Sequence, residues 1–300
     1  MQTLEMENGV ADRPEYVAEP ECGERSDESN AQYHSDLSAV SHSMLECFRA
    51  WTPTFYSRFV AKTQPAPPPS DSMVIGSAFH CLLLEPQNFH LQFIVSPKFD
   101  RRTKQGKADA DDFETASNGK TVLDCETMET VLAMTDSVRK NADVVEFLNA
   151  PQRREVSFRA VDLYTGLLLK ARPDILADET DENYMRIVDI KTSRDPCNWL
   201  VDAGKFGYHR QLDHYQRVIK DALDLPYFPE FFHVVVGSSE PYQVVIYQLG
   251  QRSQRLGREQ NSESLERLVE CHATGDWRDP RQIGVVTGDI PAWNFPKEKY

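Results

Sequence analysis

Two apolar periods alternate along the chain. From Ser41 to Val60 the residues Leu45, Phe48, Trp51 and Phe55 recur near helical spacing, and Pro53 must kink or restart that helix. The stretch QPAPPPS (64–70) is a stiff connector. Residues 72–84 (SMVIGSAFHCLLL) predict a compact apolar helix, closed by Glu85-Pro86. The basic, polar run RRTKQGK (101–107) predicts an exposed loop. Residues 123–148 read as one long helix, with Val131, Met134, Val138 and Val145 near helical spacing.

The period then shortens to two. Residues 154–161 (REVSFRAV) alternate polar and apolar, 162–166 supply a turn, and 167–172 (LLLKAR) continue as a second strand. Pro173-Asp174 and a polar loop lead to a third strand over 185–191 (MRIVDIK). A helix over 207–222 carries Leu212, Tyr215, Val218 and Ile219. Two further strands, 231–236 (FFHVVV) and 242–249 (YQVVIYQL), precede a charged helix around 251–272. No internal repeat interrupts this order. The pattern gives an α/β class, a central mixed sheet flanked by helices.

Composition narrows the class. Of 300 residues, 40% are apolar and 27% charged, enough for a sizeable core in a soluble chain. No apolar run approaches the roughly 20 residues of a membrane span, and residues 1–30 lack the basic start and apolar centre of a secretory signal. The six cysteines are widely spaced with no C-x-x-C pair, which points to reduced thiols in a cytoplasmic protein. The net charge is −14, and its distribution matters: residues 1–30 hold nine acids and two arginines, a net of −7. Residues 1–32 are therefore expected to form a disordered acidic tail. The body keeps a mild negative charge, so a nucleic-acid surface on it must be local.

The chemistry concentrates in Lys170-Ala-Arg-Pro-Asp174 and, fifteen residues on, Asp189-Ile190-Lys191. Strand alternation puts Ile187, Asp189 and Lys191 on one face and Val188 and Ile190 on the other. An aspartate and a lysine flanked by buried apolar neighbours are costly without partners. D-x-K alone is common as a sheet-edge salt bridge. With Pro-Asp ending the preceding strand, however, two carboxylates and an ammonium converge, which suits a divalent cation activating water beside a phosphodiester. His80 sits inside the apolar helix with Gly76 one turn before it. Tyr208, Gln211 and Tyr215 share a face at i, i+3 and i+7. Glu155 begins a strand and alone reads as a solvated acid.

In order along the chain, GSAFHCLLLEP, REVSF, KARPD, IVDIKTS and GYHRQLDHY together resemble the PD-(D/E)xK nuclease superfamily, and within it the RecE-like (exonuclease VIII-type) exodeoxyribonuclease domain. The resemblance covers about Tyr33 to Asp279. It implies a restriction-endonuclease-like core over 33–280 and a C-terminal extension over 281–300. By this resemblance Asp174 and Asp189 ligate Mg²⁺ (with Mn²⁺ able to substitute), and the Ile190 carbonyl adds an oxygen. His80 lies beside the metal, and Lys191 orients or deprotonates the attacking water and stabilises charge. Glu155 matches a frequent family acid, and Gln211 and Tyr215 match a Q-x-x-x-Y helix that packs on the site and contacts DNA, with Tyr208 on the same face. The iron–sulfur branch of the superfamily needs a C-terminal cysteine cluster that this chain lacks.

The expectation is a Mg²⁺-dependent exonuclease that degrades one strand of duplex DNA from its ends. The resemblance implies 5′→3′ polarity, a tetrameric ring, a single-strand annealing partner, and a bacterial or phage-infected cell. Arg101, Lys104 and Lys107, with Arg102, are expected to supply a local DNA-binding loop, and Arg153, Arg154 and Arg194 lie nearer the motifs. The rivals are a sequence-specific endonuclease on the same core and a catalytically idle DNA-binding or assembly protein.

Overall fold

The computed structural model describes residues 21–178, 184–282 and 284–289. Its N-terminal part holds β1 (Gly23–Arg25), α1 (Asn30–Ser35), β2 (Val40–Ser41), α2 (His42–Ala50), α3 (Thr52–Phe55) and α4 (Asp71–Leu84). Next come α5 (Phe89–Gln92), β3 (Phe93–Val95), α6 (Lys104–Ala116), β4 (Thr121–Leu123), α7 (Cys125–Lys140) and α8 (Ala142–Asn149). Strands β5 (Gln152–Arg154), β6 (Ser157–Val161), β7 (Leu168–Ala171), β8 (Ile175–Ala177) and β9 (Arg186–Ser193) fill the middle. The chain continues through α9 (Trp199–Phe206), α10 (Tyr208–Ala222), β10 (Glu230–Gly237), β11 (Val244–Tyr247) and α11 (Gln251–Thr274).

The main sheet runs β11-β10-β9-β8-β5, and a second runs β1-β6-β7-β2; β3 and β4 pair apart. Strands β9 and β10 are parallel, as their crossover through α9 and α10 allows, while β8–β9 and β10–β11 are antiparallel. The mixed sheet flanked by helices is the α/β class that the two periods imply.

The main sheet is buried on both faces. Val188, Ile190, Val234 and Val236 pack with Phe79 of α4 and Val131, Met134 and Val138 of α7. Ile187, Phe231 and Val235 pack on the other side with Leu212, Val218 and Ile219 of α10 and Leu265 and Leu268 of α11. Each such side chain contributes roughly 1.5–3 kcal/mol on full burial. A one-residue slip of β9 would exchange its faces and put Asp189 and Lys191 into the α4–α7 layer. At Gly257 a Cβ would lie 2.1 Å from the His209 carbonyl oxygen, so only glycine lets α11 approach α10 so closely.

Four elements depart from the sequence expectation. The strand over 154–161 is two strands in different sheets, β5 and β6, broken at Glu155, which adopts φ 52°. Likewise β7 and β8 belong to different sheets on either side of Pro173. A two-stranded ribbon thus passes from one sheet to the other, tied at the crossing by the Glu155 N–H donating to the Asp174 carbonyl at 3.1 Å. The helix over 123–148 divides at Asn141, whose side chain accepts from Val144 N–H at 3.1 Å and caps α8. The basic loop is in part helical, because α6 starts at Lys104 behind its Thr103 cap.

The fourth departure concerns the tail. Residues 1–20 lie outside the described residues, but 21–32 are built into the fold: β1 pairs with β6, and the Ser29–Gln32 capping box opens α1. Residues 283 and 290–300 of the C-terminal extension also lie outside the described residues. Among the described residues no helix is long and apolar enough to cross a membrane.

Candidate active site

Extending the β8–β9 register, in which Ile175 faces Val188, by one step puts Asp174 opposite Asp189. Asp174 Oδ2 accepts the Ile190 N–H at 2.5 Å, where β8 has already given way to Pro173. In strand geometry the Ile190 carbonyl faces the same side as its N–H, the side of Asp174. From the α4 layer His80 reaches this point, with Nδ1 3.4 Å from Asp174 Oδ1. Glu155 arrives from the ribbon crossing. Its left-handed backbone is a strained conformation for a side chain of this kind, on the order of 1–3 kcal/mol. Ligand atoms of His80, Glu155 and Asp174 lie within 4.8 Å of one another.

Asp189 is 2% exposed and stands behind this trio. Its Oδ1 accepts from Gln211 Nε2 at 2.9 Å, and its Oδ2 lies 2.7 Å from Lys191 Nζ. Lys191 in turn lies over the Tyr208 ring, 4.9 Å from its centroid, and Tyr208 stacks on Trp199 at 5.4 Å. The helix face of Tyr208, Gln211 and Tyr215 is therefore laid along β9. Tyr208 meets Lys191, Gln211 meets Asp189, and Tyr215 lines the cleft.

That cleft, about 330 Å³, is lined by His80, Glu155 and Asp174 with Gly76, Arg172 and Tyr215, and on one wall by Asn30, Tyr33 and His34. A Cβ on Gly76 would meet only Thr192 Oγ1 at 3.7 Å, so this glycine widens the cleft rather than admitting a tight backbone approach. The 21–36 segment is anchored as a strap by cations from β5–β7. Arg153 meets Glu24 at 2.6 Å, Arg159 meets Glu28 and Asp36 at 2.6 Å each, and Lys170 donates to the Tyr33 and Asp36 carbonyls.

The expected basic residues are not part of this geometry. Arg101, Lys104 and Lys107 are exposed, and none lines the cleft. Arg153 is engaged by Glu24 and Asp178, and Arg154 donates to the Leu148 carbonyl. Arg172 enters the sequence reading only as part of KARPD, with no role of its own, and the strap wall has no place in it. The capping box at Ser29–Gln32 was the available signal for the strap, and the alternation of Lys170 with Arg172 was the one for the arginine.

Residues 41–283 match the family described as a PDDEXK-like domain of unknown function (DUF3799). The chain belongs to that family. It is also similar to the crystal structure of a "putative exonuclease" from Eubacterium rectale. The TM-score is 0.57 at 11% identity, over 91% of this chain and 99% of the other, a likeness of fold. The structure of SSO0001 is more distant, at TM-score 0.29 and 14% identity over 64% of this chain and 86% of the other. No curated protein matches the chain.

The electrostatics of this PDDEXK-like centre divide its acids. Burial opposes the charge on Asp174, but His80, Lys191 and the Ile190 N–H outweigh it and hold the carboxyl below its usual range. Burial, reinforced by Asp174, pushes Glu155 up to about 7. Burial also raises Asp189 to about 6, with Lys191 opposing and Asp174 adding. Burial disfavours the Lys191 ammonium, yet Asp189 and Asp174 bring its pKa above the ordinary lysine value. Burial thus lifts Glu155 and Asp189 above the ordinary carboxylate range, with the charge of Asp174 adding to each, while Asp174 itself stays ionised. Two carboxylates and an imidazole, with a backbone carbonyl on the same side, are a donor set that fits a hard divalent cation.

Proposed function

We propose that the protein is a Mg²⁺-dependent exodeoxyribonuclease of the RecE-like kind, degrading one strand of duplex DNA from its ends to expose single strands for recombination. The observation that carries the reading is the placement of His80, Glu155 and Asp174 in an open cleft, with the Asp189–Lys191 pair behind them. His80, Glu155 and Asp174 would hold the cation, with the Ile190 carbonyl beside them. When bound, the cation supplies Lewis-acid activation of water and of the phosphodiester.

The protein's own groups set the rest. Lys191, with its raised pKa, is an ammonium at neutral pH, so it donates: it orients a water and neutralises charge that builds on the phosphate, rather than removing a proton. Gln211 fixes the rotamer of Asp189, and Asp189 fixes Lys191. Tyr208 covers the ammonium and limits its contact with bulk water. In this reading the substrate is a duplex end, the partner is an annealing protein that takes the single strand, and the active form is a homo-oligomer.

The test is digestion of linear against covalently closed circular duplex with Mg²⁺. The linear form should shorten from its ends while the circle survives. Cutting of the circle would make the protein an endonuclease, and survival of both forms would make it an idle binder. End-labelled strands then give the polarity, for which 5′→3′ is expected.

A further inference from the structure

Arg172 occupies the ribbon crossing, between β7 and Pro173. Its side chain is 8% exposed, yet it lines the cleft beside the acidic trio. Nε donates to Glu155 Oε2 at 3.1 Å, and Nη1 donates to the Glu28 carbonyl and to Ser157 Oγ, each at 2.9 Å. A guanidinium has five N–H donors, and these bonds use three. Among the described residues nothing accepts from Nη2. The used donors fix the plane of the group on three sides: the metal-side acid, the strap and β6. The remaining donors are left with the cleft as their source of acceptors. A fixed, weakly hydrated cation with a free N–H edge is matched by a phosphate oxygen.

We propose that Arg172 is a substrate-contacting residue, whose Nη2 donates to a non-bridging oxygen of a phosphate adjoining the scissile one. This rests on the nuclease reading above. The same guanidinium is a positioning residue for Glu155, because its Nε bond holds that carboxylate at the crossing. Substrate and metal-side acid are thereby registered on one rigid group, and the strap, through Glu28, is part of that register. Lys191 serves the reacting phosphate, and Arg172 serves its neighbour.

The experiment is cleavage of linear duplexes that each carry one neutral methylphosphonate linkage, walked along the strand near the end. The wild type, Arg172→Gln, Arg172→Lys and Ser157→Ala are compared. Replacing the scissile linkage blocks every protein, so the neighbouring linkages carry the information. In the wild type one neighbouring linkage should cost at least about tenfold in kcat/KM. In Arg172→Gln that same linkage should cost little, because the contact is already gone; such non-additivity is the signature of a direct pair. Arg172→Lys keeps the charge without the fork and should show an intermediate penalty, and it carries the test if the Gln variant does not fold. Ser157→Ala removes an anchor but no phosphate contact, so it should lower the melting midpoint and keep the wild-type linkage profile. Identical profiles in wild type and the Arg172 variants would overturn the proposal and leave the residue as a strap anchor. Absence of cleavage of unmodified linear DNA by the wild type would instead overturn the nuclease reading itself.

Discussion

Asp174 and Asp189 face each other across adjacent strands, but they do different work. Asp174 opens on the cleft with His80, whereas Asp189 is closed in by Lys191 and Gln211. Asp174→Ala and Asp189→Ala should each abolish digestion of linear duplex while the far-ultraviolet spectrum stays native. Near wild-type digestion by either folded variant would remove it from the site. Lys191→Ala should lower turnover by about 10²-fold, the scale of losing charge stabilisation, while cation affinity holds or rises, since a positive charge has left. Strongly weakened Mg²⁺ binding by calorimetry would make Lys191 an organiser of the acids instead. The raised acids give a pH dependence with a definite sign. Glu155 near 7, and His80, which burial would lower but Asp174 raises above its usual value, hold protons that a cation must displace, so affinity falls as pH falls. Between pH 7.5 and 5.5 the loss of Mg²⁺ affinity should be at least about tenfold, with proton release on binding near pH 6.5. A flat affinity across that window would show that neither proton competes with the ion.

At the scale of elements, the strap is the part whose cohesion is charge rather than apolar area. Arg159 is 1% exposed between Glu28 and Asp36. Burial raises the Asp36 pKa, but bonds from Ser38 and Arg159 outweigh it and bring the carboxyl down to about 2. Glu28 is likewise lowered: burial opposes its charge, and Arg159 and Ser157 outweigh that. A depressed acid stabilises the fold above its unfolded value near 4 and loses that contribution as pH falls through about 2. Arg159→Met leaves two carboxylates without their partner and should cost about 3 kcal/mol at pH 7. Amide exchange should rise over residues 23–36 and not in the main sheet. The gap between variant and wild type should narrow below pH 4, as both acids protonate, and a gap constant down to pH 2 would count against the network. The same segment marks the limit of what the residue pattern discloses. Helix α10 is legible because its local period fixes which side is buried, and α4 and β9 because their apolar runs mark elements buried on both sides. The strap is not, because its anchors lie more than a hundred residues away along the chain. Glu155 looked like a solvated strand start because no glycine, proline or asparagine marks its left-handed turn; only the passage of the ribbon between two sheets brings it to His80 and Asp174. By contrast, Asp174, Asp189 and Lys191 stand out as a P-D and D-x-K pattern, since the chemistry fixes their types and spacing, whereas His80 enters through the family resemblance.

For the whole molecule, the proposed nuclease function asks how a chain of net charge −14 would approach a polyanion. Many of its cations are already matched internally: Arg153, Arg159, Arg172, Lys191, Arg210 and Arg217 all sit in ion pairs with acids. Arg101, Lys104 and Lys107 are exposed, away from the cleft lining. The first twenty residues hold five acids and one arginine, so removing them brings the net charge to −10. If their negative charge repels DNA or competes with it for the exposed cations, deleting 1–20 should tighten duplex binding at low salt. The gain should fade as the Debye length shrinks from ~30 Å at 0.01 M to ~8 Å at 0.15 M. Turnover at saturating DNA should not change, because no residue of the proposed site lies in that segment. The cut must stop there: a deletion through residue 36 also removes Glu24, Glu28 and the Asn30–His34 wall, so it should damage the cleft and lower turnover at every salt concentration. Titrations of full-length protein and both truncations against one labelled duplex, at three salt concentrations, separate the two effects. Equal affinities of the full-length and 1–20-deleted proteins at 0.01 M salt would show that the acidic N-terminus does not set DNA affinity.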